Sequence, residues 1–439
     1  MSNEPDDQMS LVRFLTYSNE IYVAGIAAIT STWLNDTIDV ETIQQVIKAY
    51  GEVVDNLNAN VPKALPYSSV DNLLSKVYTG HPVYGIAALD LPLSNAAQAL
   101  IKSADAAKAN SPLWVSVWGG ANVLAEALNY ISKTRNNHEV DQFVSKLRVY
   151  SISDQDDAGP WIRLRYPKLV YIVSLHGFNE YTLASWSGIS GEVRRLFDKG
   201  GPDTSLVTNE WLDEHIRIGA LGAHYPVYPF IMEGDTPAFF TLVQNGLGDI
   251  NHPEWGSWGG RYMLVDRTAR SLVYSDAADW AQGVNGDFFL SQFATIWRWR
   301  EAYQYDFAAR MQWTVNGNYS GNNHHPVAVV NGTCGPAFVE VPFTKDNALI
   351  LDASKSWDPD GDDLSFEWFH YREPTIRLET ETIPEVSPYL NLEPMDDLGS
   401  IVRVTPTDTM VSISQSSQKH ESKLTDQGNA SSVNFEGQA

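Results

Sequence analysis

Cysteine is almost missing. Cys334 is the single one in 439 residues, so no intrachain disulfide can form and no thiolate cluster can hold a metal. Basic residues are scarce too: 30 Lys and Arg stand against 54 Asp and Glu, a formal charge of −24. Such a surface repels polyphosphates and anionic lipid, which argues against nucleic acid and membrane as partners. No apolar run reaches the roughly 18 residues that a membrane-crossing helix requires. Polar residues follow Met1 at once, without the apolar stretch of a secretory leader. Sequences of the form Asn-X-Ser/Thr at Asn35, Asn318, Asn331 and Asn429 are too short to fix a compartment.

Aromatic residues are plentiful. The 14 Trp exceed what packing alone calls for, and indole faces stack on sugar rings and on bases, which tilts the reading toward a carbohydrate or nucleoside-like ligand. The length is enough for two cores.

Along the chain, Gln8–Ser18 has helical spacing, Ile21–Thr30 is an apolar run of strand length, and Asp39–Asn60 is helical again. A strand at Leu113–Val117, a turn at Trp118-Gly-Gly-Ala-Asn122 and a helix from Val123 to Ser132 form the junction at which parallel α/β sheets bind ligands. Leu147–Ile152 and Leu169–Ser174 repeat the strand pattern. Buried strands alternating with helices from Ser10 to Val243 predict an α/β fold, an open, mostly parallel sheet with helices on both faces. Beyond Asn245 come loops rich in Gly and Trp, then a long aromatic helix at about 289–313. The expected domains are 1–315, a linker at 316–325, a small all-β sandwich at 326–410 and a disordered Ser/Gln/Asn-rich tail at 411–439.

One stretch draws attention above the others. Glu4, Asp6 and Asp7 place three carboxylates in four positions ahead of the first helix, and Glu233-Gly-Asp-Thr-Pro237 adds acids far downstream. Helix capping accounts for one carboxylate comfortably, not for three. So dense a cluster repels itself unless a cation or strong donors sit within it, and all-oxygen ligands suit a hard ion such as calcium. At the strand ends, Asp154, Asp156 and Asp157 are either pocket-facing or helix-capping and solvated; Trp118 either faces a sugar or packs. Trp186, Trp255 and Trp258 lie in Gly/Ser-rich loops, where a rim or pocket is expected more than a core. Arg298, Arg300 and Arg310 read as structural ion pairs. His176, His224 and His252 are each an available acid or a structural histidine, and the Asp358–Asp363 turn is either a calcium loop or a solvated connection.

Several stretches in order, NEPDDQMSLVRFL, PLWVSVWGGANVLAEAL, ISDQDDAGPWIR, WSGISGE, EGDTPAFF, PEWGSWGGRY and DASKSWDPDGDDLSFEW, carry a resemblance to a known family. From Ser2 to about Trp368 the chain resembles proteins described as cellulose-binding, with a nucleoside-hydrolase-like first domain and an immunoglobulin-like second one. The resemblance implies a hydrolase of glycosidic or N-glycosidic bonds that depends on calcium. It implies Asp7, Asp235 and the main-chain carbonyl of Ala121 as calcium ligands and Asp6 as the carboxylate that activates water. Trp118, Asn122, Asp154, Asp156, Trp186 and Glu233 would then line the substrate site. It also implies a strand and a further aspartate ahead of the acidic loop. A longer natural chain is therefore expected, and with it an extracellular location. In nucleoside hydrolases a histidine that helps the base depart precedes the late aspartate; Gly234 stands there. A non-catalytic glucan-binding protein is the alternative, with a truncated, poorly folding remnant behind it.

Overall fold

The computed structural model describes residues 4–176, 178–195, 197–336, 338–342, 347–375 and 390–406. The expected tail at 411–439 lies outside them. The chain packs into two units. One comprises Met1–Val243 with Ser257–Asn322, the other Gln244–Gly256 with the residues from Asn323 onward.

The first unit is built on a sheet. β1 (Ile26–Ala28) and β2 (Val77–Thr79) pair in parallel by themselves. β3 (Leu113–Val117), β4 (Leu147–Ser151), β5 (Val170–Val173), β6 (Tyr262–Leu264) and β7 (Val273–Asp276) form a second sheet in the order β3-β4-β5-β7-β6. All its neighbours are parallel except β6, which runs antiparallel to β7. Parallel strands must be covered on both sides, and the side chains alternate accordingly. Val117, Val149, Tyr171 and Val173 pack on one face with Ala104, Leu124, Leu128, Phe143 and Ile162 of the helices Asn95–Ala106, Asn122–Thr134, Asn137–Ser145 and Ala158–Arg165. Tyr150, Ile152 and Ile172 face the other way, against Ala184, Trp186, Ala238 and Tyr262. Helix starts follow the local chemistry: Ser94 caps the first of these helices, and Asn136 with Glu139 forms a capping box on the third.

The α/β architecture thus agrees with the sequence pattern, and several boundaries do not. The run Ile21–Thr30 contributes only three ladder residues, because β1 has only β2 to pair with. The main sheet does not stop at Val243; it takes β6 and β7 from the segment whose Gly-rich texture reads as loop. The expected helix at 289–313 is interrupted. Phe289 belongs to β9 (Phe288–Ser291), hydrogen-bonded antiparallel to β8 (Asp279–Gln282), and the helix proper is Arg300–Val315 after a short turn at Ala294–Trp297. The signal was Asn285-Gly286 between the strands, with Gly286 at φ 84°, a dipeptide suited to hairpin turns.

The second unit has two short 3-10 turns, Pro253–Trp255 and Glu373–Thr375, and its described strands are all antiparallel. β10 (Val329–Val330) and β11 (Thr333–Cys334) form a hairpin over Asn331-Gly332, both at positive φ. β12 (Leu349–Asp352), β13 (Leu390–Pro394) and β14 (Ile401–Pro406) form an antiparallel sheet ordered β12-β14-β13, packing Leu351, Leu390, Val402 and Val404 together. Within the expected sandwich, the run Leu364–Phe369 joins no ladder among the described residues; its Trp368 donates to the Gly399 carbonyl at 2.6 Å.

Leu128 is completely buried between sheet and helices. Leu128→Ala is expected to lower the unfolding free energy by about 2–5 kcal/mol in a denaturant titration.

Candidate functional site

The first helix, Pro5–Thr16, begins on the carboxylates. Pro5 at its first position gives up no hydrogen bond, and Asp6 and Asp7 in its first turn meet the free N–H groups and the positive end of the helix dipole. Downstream, Glu233 adopts φ 56°, a conformation uncommon outside glycine, and turns the chain so that Asp235 enters the interior. Gly234 is needed for close approach. A Cβ there would lie 2.7 Å from Asp6 Oδ2 and 3.0 Å from Trp186.

A buried ion pair brings the two stretches together. Arg13, on the same helix as Asp6 and Asp7, donates through Nε and Nη2 to both carboxylate oxygens of Glu233, and neither side chain meets solvent. Tyr225 donates to Glu233 as well, and Thr236 does so at 2.8 Å. The remaining guanidinium donors reach the Tyr303 carbonyl at 2.9 Å and Gln304, and Phe307 lies 4.0 Å beneath the charge. Arg310 holds the far end of the same helix through the Thr16 carbonyl and Glu20.

The acids that result are crowded. Asp7 and Asp235 are close enough for the charge of one to act on the other. Burial is the main reason that Asp6 is pushed up to about 7, with Asp7 and Glu4 adding repulsion. Glu4 also rises to about 7 through burial and Asp7, against the Ser31 hydroxyl, which donates to it at 2.5 Å. Asp235 and Asp7 are raised by burial too, and for Asp235 the charges of Asp7, Asp6 and Glu4 come next.

Above these groups opens a cavity of about 380 Å³. Glu4, Asp6 and Asp235 line it, with Trp186, Ser153, His176, Asp154 and Gln155 from the loops after β4 and β5, and Trp33, Arg194 and Phe230 among the residues of its wall. Trp33 and Phe230 are more than half exposed. Parallel strands deliver their loops to one edge of the sheet, which is why residues so distant in sequence meet there.

Of the residues singled out by sequence, Glu4, Asp6, Asp154, His176, Trp186 and Asp235 line the cavity. Asp154 is held by Arg163 in a two-pronged ion pair at 2.6 and 2.7 Å. Trp118 packs with Phe14 and Phe239 and donates to Ser116. Asn122 is fully buried and ties the loop after β1 to the 81–83 loop through Thr30 and the Val83 carbonyl. Asp156 accepts from the Ala158 N–H at 2.9 Å and is pushed up to about 6, chiefly by burial. The Ala121 carbonyl accepts from the Ala125 N–H and so opens the next helix. Glu233 is the partner of Arg13. Trp258 is not at a rim: it is buried against Phe240 and Tyr303, because the glycines around it let the backbone fold over the ring. Arg298, Arg300 and Arg310 make the structural ion pairs expected of them, with Asp279, Glu192 and Asp306. Ser153 escaped sequence reasoning. Its only signal was its place at the end of β4.

Among the described residues no three His, Cys, Asp or Glu side chains form a metal site. The donor set nonetheless fits a hard cation chemically: oxygen ligands only, on buried carboxylates whose mutual repulsion an ion would relieve.

Comparison with known proteins identifies the family. Residues 1–262 match the family model described as "Cellulose-binding Sde182, nucleoside hydrolase-like domain", and residues 348–429 match "Cellulose-binding protein Sde0182, C-terminal domain". A solved structure from Saccharophagus degradans, described as a nucleoside hydrolase-related hypothetical protein associated with carbohydrate metabolism, is similar with 30% identity and a TM-score of 0.71. The similarity covers 92% of this chain and 89% of that one. No curated protein matches.

Removing one member of the buried pair leaves a stranded charge. Arg13→Met is expected to cost about 3–5 kcal/mol, and Arg13→Met with Glu233→Leu distinctly less than the sum of the two single changes, by thermal or denaturant unfolding. The raised acids set a pH dependence as well. The folded state holds protons that the unfolded chain has released, so in a chelator their contribution to stability is full below about pH 4. It is lost as the pH rises through about 7, the folded value of Glu4 and Asp6. Melting temperatures measured across that window should fall with rising pH, and less steeply in Asp6→Asn.

Proposed function

Because the chain belongs to the cellulose-binding family whose first domain is nucleoside hydrolase-like, we propose that its cavity hydrolyses a glycosidic or N-glycosidic bond of a carbohydrate or nucleoside-like molecule. The observation that carries the reading is the convergence of Asp6, Asp7 and Asp235, from opposite ends of the first unit, beneath an aromatic-walled cavity. Uncompensated burial of three carboxylates is unfavourable by several kcal/mol, which evolution tolerates where the charges serve a ligand.

Asp7 and Asp235, with the Ala121 carbonyl, would hold a calcium ion, and Glu4 lies close enough to add to the field. A bound calcium would supply the positive charge that keeps these carboxylates ionised and favours a nearby water in its deprotonated form. Asp6, lining the cavity beside these acids, is placed to take a proton from the attacking water. Trp186 offers an indole wall against which a sugar can rest, and the cluster of negative charge below favours the positive charge that develops on the sugar ring as the bond breaks. The leaving group is not specified by these residues.

A second reading is favoured by the exposed Trp33 and Phe230 along the cavity wall and by the family description: the cavity holds a glucan end without cleaving it.

Asp6→Asn and Asp235→Asn are each expected to abolish release of sugar from glycoside and nucleoside panels while the circular dichroism spectrum stays native. Full activity in both variants would eliminate the assigned chemistry; glucan binding with no product from the unaltered protein would favour the second reading. Calcium at 100 times its dissociation constant should raise the unfolding free energy by about 2.7 kcal/mol. Asp235→Asn should remove most of that gain in a melting experiment, whatever the enzymatic activity.

A further inference from the structure

Cleaving a glycosidic bond takes a proton for the departing atom as well as a base for the water. The carboxylates at the floor of the cavity, Glu4, Asp6 and Asp235, crowd one another on the side assigned to the water. Asp154, also in the lining, is bound on both oxygens by Arg163. Position 234 can carry no side chain, since Asp6 and Trp186 fill the space. Another part of the wall is organised differently.

Trp186 Nε1 lies 2.9 Å from Ser153 Oγ, and His176 Nε2 lies 2.9 Å from the same oxygen. All three residues line the cavity. An indole N–H can only donate, so Ser153 is an acceptor toward Trp186. When His176 is protonated, its Nε2 is also a donor, and the two acceptor positions of the hydroxyl are then filled. Its own proton is then left for a third partner, and Ser153 lines the cavity. When His176 is neutral with Nε2 bare, the hydroxyl donates back to the ring. The arrangement therefore has two states that differ by one proton, and Trp186 fixes the polarity of both.

The supports are rigid. Ser153 follows β4 and His176 follows β5, adjacent parallel strands. Asp276, at the end of β7, accepts from Ser174 at 2.6 Å and from Ser185 at 2.7 Å. One carboxylate thus anchors both the loop that carries His176 and the turn that carries Trp186. It is also near enough for the charge on His176 to act on it.

We propose that Ser153, backed by His176 and aimed by Trp186, is the proton relay that serves the departing half of the substrate. The proposal rests on the hydrolytic reading above and extends it to leaving groups that cannot depart as anions, such as a sugar hydroxyl. The bond between the anomeric carbon and the leaving oxygen breaks with its electron pair going to that oxygen. The oxygen takes the hydroxyl proton of Ser153, and Ser153 takes the Nε2 proton of His176. Water adds its hydroxide to the anomeric carbon and its remaining proton goes to Asp6. Ser153 ends unchanged, His176 ends neutral and Asp6 ends protonated; solvent exchange returns the one proton from Asp6 to His176. Ser153 touches the substrate, whereas His176 and Trp186 are positioning residues.

The experiment compares p-nitrophenyl with unsubstituted phenyl glucosides and ribosides, both anomers, in the full chain. Phenol is the poorer leaving group and needs the proton more. Ser153→Ala and His176→Gln are expected to lower kcat/KM on the phenyl substrate on the order of 10²-fold. The loss on the p-nitrophenyl substrate should be at least tenfold smaller. Because the two residues act as one unit, the double variant should lose no more than the worse single one. Asp6→Asn, acting on the water, should lose both substrates alike. Equal losses on both substrates, no loss, or additive losses would each overturn the relay while leaving the hydrolytic reading intact. Absence of turnover on every substrate in the unaltered protein would overturn the hydrolytic reading and the relay with it. His176 lies at the cavity surface, so His176→Gln keeps the test valid should Ser153→Ala fold poorly.

Discussion

The pairing of Arg13 with Glu233 is the constraint on which the rest of the site depends. Two stretches separated by most of the first unit bring carboxylates to the same place, and those carboxylates repel. Something must hold them there at the expense of that repulsion. A fully buried guanidinium does so, since both its forks are occupied and it cannot leave without stranding Glu233 in a medium that does not solvate charge. The pair fixes the first helix, and so Asp6 and Asp7, relative to the turn that carries Asp235. Its attraction also offsets the unfavourable backbone of Glu233 at φ 56°.

This division of labour runs through the whole cavity. Residues that hold are charged and paired: Arg13 with Glu233, Arg300 with Glu192, Arg310 with Asp306 and Glu20, and Asp154 with Arg163. Other residues of the cavity lining are like-charged and crowded, Glu4, Asp6 and Asp235, or hydroxyl and imidazole, Ser153 and His176. Buried opposite charges stabilise one arrangement, and buried like charges make that arrangement responsive to a proton or a cation.

Much of this was legible beforehand. The acidic loop, the strand–turn–helix at Leu113–Ser132 and the alternating apolar runs are local patterns, and the α/β fold with its site at the strand ends follows from them. What misled was also local. Glycine-rich texture around Trp258 reads as a surface loop, yet the ring is in the core; the apolar run through Phe289 reads as helix, yet an Asn-Gly turn makes it a hairpin. At Trp258, partners distant in sequence, Phe240 and Tyr303, overrode the local texture; at Phe289 the strand just upstream did.

The sequence alone determined the fold class, the poverty of cation and thiol chemistry, and which acids could matter, because composition and short-range periodicity act within a few residues. Only the tertiary structure decided which of those acids meet. Glu233 is a strut and Asp235 lines the cavity, although they stand two positions apart, since a single left-handed turn sends one to Arg13 and the other toward Asp7. The Trp186–Ser153–His176 chain is likewise invisible along the sequence. A hydrogen bond depends on distances of about 3 Å between atoms that the strand order, not the residue order, brings together.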